Sequence, residues 1–120
     1  MHGVCDYSAI HAGKLETGPH GSINNPISFT VGSNAVLTVH SILTFTVKVE
    51  DGPADLKILI NEREVAAYEL SDYFGTINKI IGPDVLRHGT NQLHFKLVAE
   101  DYLYMYVEDI ALWWFKNSLD

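Results

Sequence analysis

The sequence predicts an all-β fold, an antiparallel sandwich or barrel of seven to nine strands. Three observations lead there. Apolar residues recur with a period of two over most of the chain, which gathers them on one face of each strand. Clusters of Gly, Asn, Asp and Pro interrupt that alternation about every 8–12 residues, as turns do. The 120 residues, 47% apolar and 19% charged, suit one domain with its own core, so folding requires neither metal nor disulfide.

Residues 1–26 are rich in Gly, His, Asn and Ser and read as an irregular segment ahead of a sandwich domain at 27–120. Ile27, Phe29 and Val31 alternate up to Gly32-Ser33-Asn34. From Leu37 to Glu50 the odd positions are apolar and the even ones polar, except at Ser41 and Ile42. A run this long predicts a bend or bulge near His40 to Ile42, and Asp51-Gly52-Pro53 ends it. Leu56, Ile58 and Ile60 alternate before Asn61-Glu62-Arg63-Glu64, and Val65 to Leu70 resumes the pattern, which predicts a hairpin. Ser71 to His88 lacks alternation and reads as a connection with a helical turn over Ile77 to Ile81, stopped by Gly82-Pro83. Leu93, Phe95, Leu97 and Ala99 form the next strand, entered from Gly89-Thr90-Asn91. Tyr102 to Val107 and Ile110 to Phe115 close the chain as one kinked strand. The predicted core is Phe29, Val31, Leu37, Val39, Leu43, Phe45, Val47, Leu56, Ile58, Ile60, Leu93, Phe95, Leu97, Ile110 and Leu112.

Charge narrows the function classes. Eight Lys and Arg face fifteen Asp and Glu, a formal net charge of -7. Residues 50–72 hold seven acids and two bases, and 100–120 five acids and one base, so no basic patch exists to neutralise phosphates. Nucleic acid is not an expected partner. No apolar run approaches the ~20 residues of a membrane helix, so membrane insertion is not expected either. Residues 1–17 lack a basic start followed by an apolar stretch; a chain complete as written is expected in the cytoplasm.

Catalytic chemistry finds little support. His2, Cys5, His11 and His20 share one segment, but their spacing matches no closed zinc site. His88 and His94 stand six apart, without the His-x-His pair of a cupin metal site. No Gly-x-Ser-x-Gly is present. Glu50-Asp51, Glu100-Asp101 and Glu108-Asp109 are adjacent carboxylates, which point to opposite faces of a strand and form no dyad by themselves.

The aromatic residues carry more information. Tyr102, Tyr104 and Tyr106 share one face, Leu103, Met105 and Val107 the other. Ile110, Leu112 and Trp114 likewise oppose Ala111, Trp113 and Phe115. A sandwich strand needs only one buried face, so one aromatic row is surplus to a single core. Three uses of it stay open: stacking on sugar rings, burial in a homodimer or against a neighbouring domain, and cover by the N-terminal segment.

Three stretches resemble galactose-binding-like domains and related carbohydrate-binding jelly rolls, over about half the chain. Leu56 to Val65 is similar to their strand–turn–strand hairpin, with Glu62 where Gly is usual. Val85-Leu86-Arg87-His88-Gly89-Thr90-Asn91-Gln92-Leu93 resembles their Leu-x-x-Gly-x-Asn-x-Leu entry into a strand, and Val107 to Leu112 their closing strand. The Gly and Asn of that entry tolerate the positive φ of a sharp turn. The Glu-rich opening that often supplies calcium ligands in such modules is missing. The resemblance implies a jelly-roll β-sandwich and a non-catalytic module that binds a carbohydrate or another polar ligand. Trp113, Tyr102, Tyr104 and Tyr106 would stack on the ligand; Asn61, Arg63, Arg87 and Asn91 would hydrogen-bond it. No cofactor is required, although Asp109 is placed to hold a structural calcium. The alternative is a homo-oligomeric interaction domain with the aromatic face as its interface and no small ligand.

Overall fold

The computed structural model describes residues 3–11, 15–16, 23, 25–51, 53–99 and 104–117. The described strands are β1 (Gly3–His11), β2 (Leu15–Glu16), β3 (Ile27–Val31), β4 (Ser41–Glu50), β5 (Ala54–Ile60), β6 (Arg63–Leu70), β7 (Tyr73–Ile81), β8 (Gly89–Ala99) and β9 (Tyr104–Asn117). All pairings are antiparallel. One sheet runs β1-β9-β4-β7, with the two-residue β2 also on β9, and the other runs β3-β8-β5-β6. Leaving β2 aside, the pairing is nested: first strand with last (β1·β9), then β3·β8, β4·β7 and finally the hairpin β5·β6. The remaining ladders, β4·β9 and β5·β8, join this folded ribbon to itself.

Alternation sets which side chains face inward. Along β4, Ser41, Leu43, Phe45, Val47 and Val49 are buried, while Ile42, Thr44, Thr46, Lys48 and Glu50 face outward. From the opposite sheet Leu56, Ile58, Ile60, Leu93 and Phe95 complete the core. Phe45 and Phe95 meet edge-to-face across it, ring centres 5.2 Å apart.

Three expectations need correction. Residues 1–26 are not irregular throughout: β1 pairs with β9 from Gly3↔Asn117 to His11↔Ile110, so the sandwich begins with β1 rather than at residue 27. Its place is set by pairing with β9 rather than by a marked alternation of its own. Tyr73 to Ile81 forms β7 instead of a helical turn. Its apolar residues at 73, 77 and 80–81 mimic helical spacing because Gly75 and Lys79 occupy the inner face and Phe74 and Ile80 the outer one. Val39 is 41% exposed, because the strand begins only at Ser41 and residues 37–40 turn. Leu37 and Leu97 pack on the core partly buried.

The β5–β6 hairpin turns on Asn61 and Glu62 alone, with φ of 52° and 68°. Two successive positive φ values mark a type I′ turn, whose twist matches the flanking strands and whose second position favours Gly. A β-carbon in this left-handed region costs about 1–2 kcal/mol. Glu62→Gly is therefore expected to stabilise the protein by about 1 kcal/mol, read as a higher urea midpoint with an unchanged m-value.

Candidate functional site

The closing strand decides what the outer surface offers. Against β4, β9 runs in register from Ile42↔Trp113 to Thr44↔Ala111, then resumes at Thr46↔Glu108. Asp109 and Ile110 thus stand against the single residue Phe45, a β-bulge, with Asp109 at φ 53°. Asp is among the few non-glycine residues that enter this region readily. The extra residue inverts the alternation. Met105 and Val107 point inward before the bulge; Ile110, Leu112 and Trp114 point inward after it. Tyr104 and Trp113, of opposite parity in sequence, consequently emerge on the same outer face, with Phe115 beside Trp113.

That face has three zones, set by register. At one end Trp113, Ile42 and Ile80 lie side by side across β9, β4 and β7. With His40, Trp114 and Phe115 they line a groove of about 300 Å³ whose walls are almost wholly apolar. Trp113 is 38% exposed. The middle is polar: Thr46 and Thr76 hydroxyls hydrogen-bond at 3.1 Å, with Asn78 and Glu108 adjoining in register. At the far end Tyr104 and Tyr106 meet edge-to-face at 6.1 Å. Lys48 lies 3.0 Å from Glu50 and 5.9 Å from the centre of the Phe74 ring. The hydrogen bond to Glu50, and then its charge, raise the Lys48 pKa above the ordinary lysine value. The outer face of the other sheet is polar by contrast, with Ser28, Thr30, Asp55, Lys57, Gln92 and Lys96 exposed.

The sequence-predicted site separates into two places. Trp113 and Tyr104 are exposed on the aromatic face, Tyr106 is largely buried there, and Tyr102 lies outside the described residues. Asn61, Arg63, Arg87 and Asn91 belong to the hairpin tip and the entry to β8, on the other sheet. Asn61 and Arg87 border a shallow depression with Glu62 and Gln92, which shares no lining residue with the apolar groove.

Two of these four residues are committed to the fold. Asn91 is fully buried. Its Oδ1 accepts from Asn61 Nδ2 at 2.9 Å and the Arg87 amide at 3.0 Å; its Nδ2 donates to the carbonyls of Arg87 and Gly89 at 2.8 and 3.2 Å. Asn61 Oδ1 accepts from the Gln92 amide at 2.9 Å, and its Nδ2 also donates to the Val85 carbonyl at 3.3 Å. The Gly-x-Asn step works accordingly: Gly89 takes the positive φ, 90°, and Asn91 fills the loop with its amide. Arg63 and Arg87 are exposed, with Arg87 Nε donating to the Thr90 carbonyl at 2.9 Å.

Asp109 is exposed at the bulge, where backbone geometry already accounts for it. Among the described residues no three His, Cys, Asp or Glu side chains gather as a metal set. His2 and His20 lie outside those residues, while the backbone of β1 places Cys5 opposite Phe115 and His11 opposite Ile110. His88 Nε2 meets the Ala35 carbonyl at 2.9 Å, and the buried Nε2 of His94 has no hydrogen-bond partner. The inverted parity of β9 and the contributions of Ile42, Phe74 and Ile80 were missed from sequence; the Glu108-Asp109 break in the final alternation marks the first, and Ile42 at an otherwise polar position of β4 is a signal for the second. No protein-family model and no curated protein matches this chain.

Removing the buried Asn91 amide would leave Asn61, the Arg87 amide and two carbonyls short of a partner at the entry to β8. Asn91→Ala is expected to cost about 2–4 kcal/mol, measured by urea unfolding. A loss below about 1 kcal/mol would show that water replaces the amide.

Proposed function

We propose that this chain is a jelly-roll β-sandwich acting as a non-catalytic binding module, with a carbohydrate chain lying along the outer face of the β1-β9-β4-β7 sheet. The nested pairing, first strand with last and inward to the β5·β6 hairpin, supports the jelly-roll reading. One observation carries the functional reading: the bulge at Asp109 brings Tyr104, Trp113 and Phe115 to one exposed face. Flat rings stack on the apolar faces of sugars, and neighbouring polar groups then meet the hydroxyls. Thr44, Thr46, Thr76, Asn78 and Glu108 lie between the two aromatic ends in that arrangement. Along β4, the partners of Trp113 and Tyr106 are Ile42 and Lys48. Six strand steps separate those two, about 20 Å, a span for several linked rings rather than one monosaccharide.

A second reading has its own support. The groove beside Trp113 is floored by Ile42, Ile80 and Phe115 and is more apolar than a sugar needs, which favours an apolar side chain of a protein partner.

A glycan screen followed by titration of tryptophan fluorescence separates the two. Under the carbohydrate reading, an oligosaccharide binds and Trp113→Ala weakens it by about tenfold or more while the variant unfolds at the same temperature. A folded Trp113→Ala that binds the same glycan unchanged would sink the reading, and a blank screen would leave the protein-partner reading in its place.

A further inference from the structure

We infer that β7 is a homodimer edge: it pairs antiparallel with β7 of a second copy, in a register centred on Ile77, and so joins the two aromatic sheets into one. The inference is independent of which ligand the face accepts.

The argument begins with how the chain treats its sheet margins. An exposed strand edge presents a row of unpaired amides and carbonyls, and proteins usually blunt it with charges, proline, a bulge or brevity. β6, a margin of the other sheet, has such protection. Its ladder with β5 is broken between Ile58 and Leu59, and it carries Arg63, Glu64 and Glu69. β3 is short, five residues with Ser28 and Thr30 exposed. β7 has none of this. It runs nine residues against β4 without a register break, from Ser41↔Ile81 to Val49↔Tyr73. It contains no proline and one charged residue, Lys79. It also carries the two most exposed large apolar side chains of the described residues, Phe74 at 65% and Ile80 at 62%.

The sequence of β7 fits a second copy of itself. A two-fold axis places the same patch on both partners, so each residue must suit the one it faces by symmetry. With Ile77 opposite itself, Phe74 faces Ile80 of the second copy, and Ile80 faces its Phe74. Thr76 faces Asn78, and Gly75 faces Lys79. Directly opposed residues of an antiparallel pair share a face, and the Phe74–Ile80 contact falls on the outer face, where both side chains already project. Each dimer contains that aromatic–aliphatic contact twice and the polar Thr–Asn contact twice. The cationic Lys79 lies opposite the one residue without a side chain, so the two lysines do not oppose each other.

The row already present on one copy then continues into the next. Trp113, Ile42 and Ile80 adjoin across β9, β4 and β7. Beyond Ile80 come Phe74, Lys48 and Tyr106 of the second copy, which adjoin across its own sheet. The contact is a strand ladder with two apolar pairs. That puts it at the low end of specific interfaces, roughly 1,200 Å² in total, and self-repulsion at a net charge of -7 works against it. A concentration-dependent dimer, strengthened by salt, is the expected species.

Sedimentation velocity of the full chain, in reductant so that Cys5 stays a thiol, tests this. The expected result is a monomer–dimer equilibrium that shifts to dimer with protein concentration and with salt. Phe74→Lys and Ile80→Glu, both at exposed positions, should each raise the dissociation constant by about tenfold or more and leave the thermal midpoint near the parent's. The register makes a sharper demand. The double variant Phe74→Lys/Ile80→Glu sets opposite charges across the interface and should recover most of the lost dimer, whereas Trp113→Ala should not disturb it. A parent chain that stays monomeric at every concentration overturns the inference. So does a dimer unaffected by either single substitution, or a double variant no better than the singles.

Discussion

The β-bulge at Asp109 is the constraint on which both faces of the aromatic sheet depend. β9 is the strand that β1, β2 and β4 all pair with, so its alternation decides what enters the core and what meets solvent. A regular strand with Met105 and Val107 inside would also turn Asp109, Ala111, Trp113 and Phe115 inward and expel Ile110, Leu112 and Trp114. One inserted residue avoids this. Asp109 accepts the left-handed backbone that the insertion requires, and Met105 and Val107 before it and Ile110, Leu112 and Trp114 after it all reach the core. The exposed aromatic stripe is the other half of the same geometric event.

The two sheets of the sandwich have been given different outer surfaces. One is dotted with Asp, Lys, Gln, Ser and Thr, which keeps it wet. The other alternates an apolar groove, a polar middle and a tyrosine-rich end. Polar residues at the β5–β6 tip and the entry to β8 could pass for ligand contacts on residue type alone. For two of them the hydrogen bonds give a structural role: the Asn61 and Asn91 amides bind each other, the loop carbonyls and the backbone of Arg87 and Gln92. A buried amide with every donor and acceptor engaged holds two connections together and has nothing left for a solute.

Margins and faces are linked through the same strands. β7 contributes Ile80 to the groove and Phe74 to the tyrosine-rich end, so a weakly protected edge of the sandwich is also a border of its apolar groove. A single charge on that strand does little to discourage pairing, whereas the β6 margin combines a bulge with three charges. The difference between the two margins is physical in origin: unpaired backbone groups attract a further strand unless something beside them is costly to desolvate.

Much of the fold was legible in the sequence because period-two alternation is a local consequence of strand geometry. Residues 43–49, 56–60 and 93–95 announced their inner faces, the Asn61-Glu62 turn announced its hairpin, and the kink in the last strand showed at Glu108-Asp109. Alternation does not carry beyond a strand's end, so Val39 was misplaced, and it is weak in the sequences of β1 and β7, so these two were not recognised as strands. The site was less legible. Tyr104 and Trp113 stood out by type, but their common face depends on how β9 bulges against Phe45, a relation between strands distant in sequence. The same holds for Asn91, whose burial comes from Asn61, thirty residues away. What the chain determined by itself is strand content, turn chemistry and most of the core, all set by neighbours within a few residues. What only the tertiary structure decided is which polar groups are used up inside, which edges stay open and which rings share a surface, because each is fixed by a partner strand that local sequence does not name.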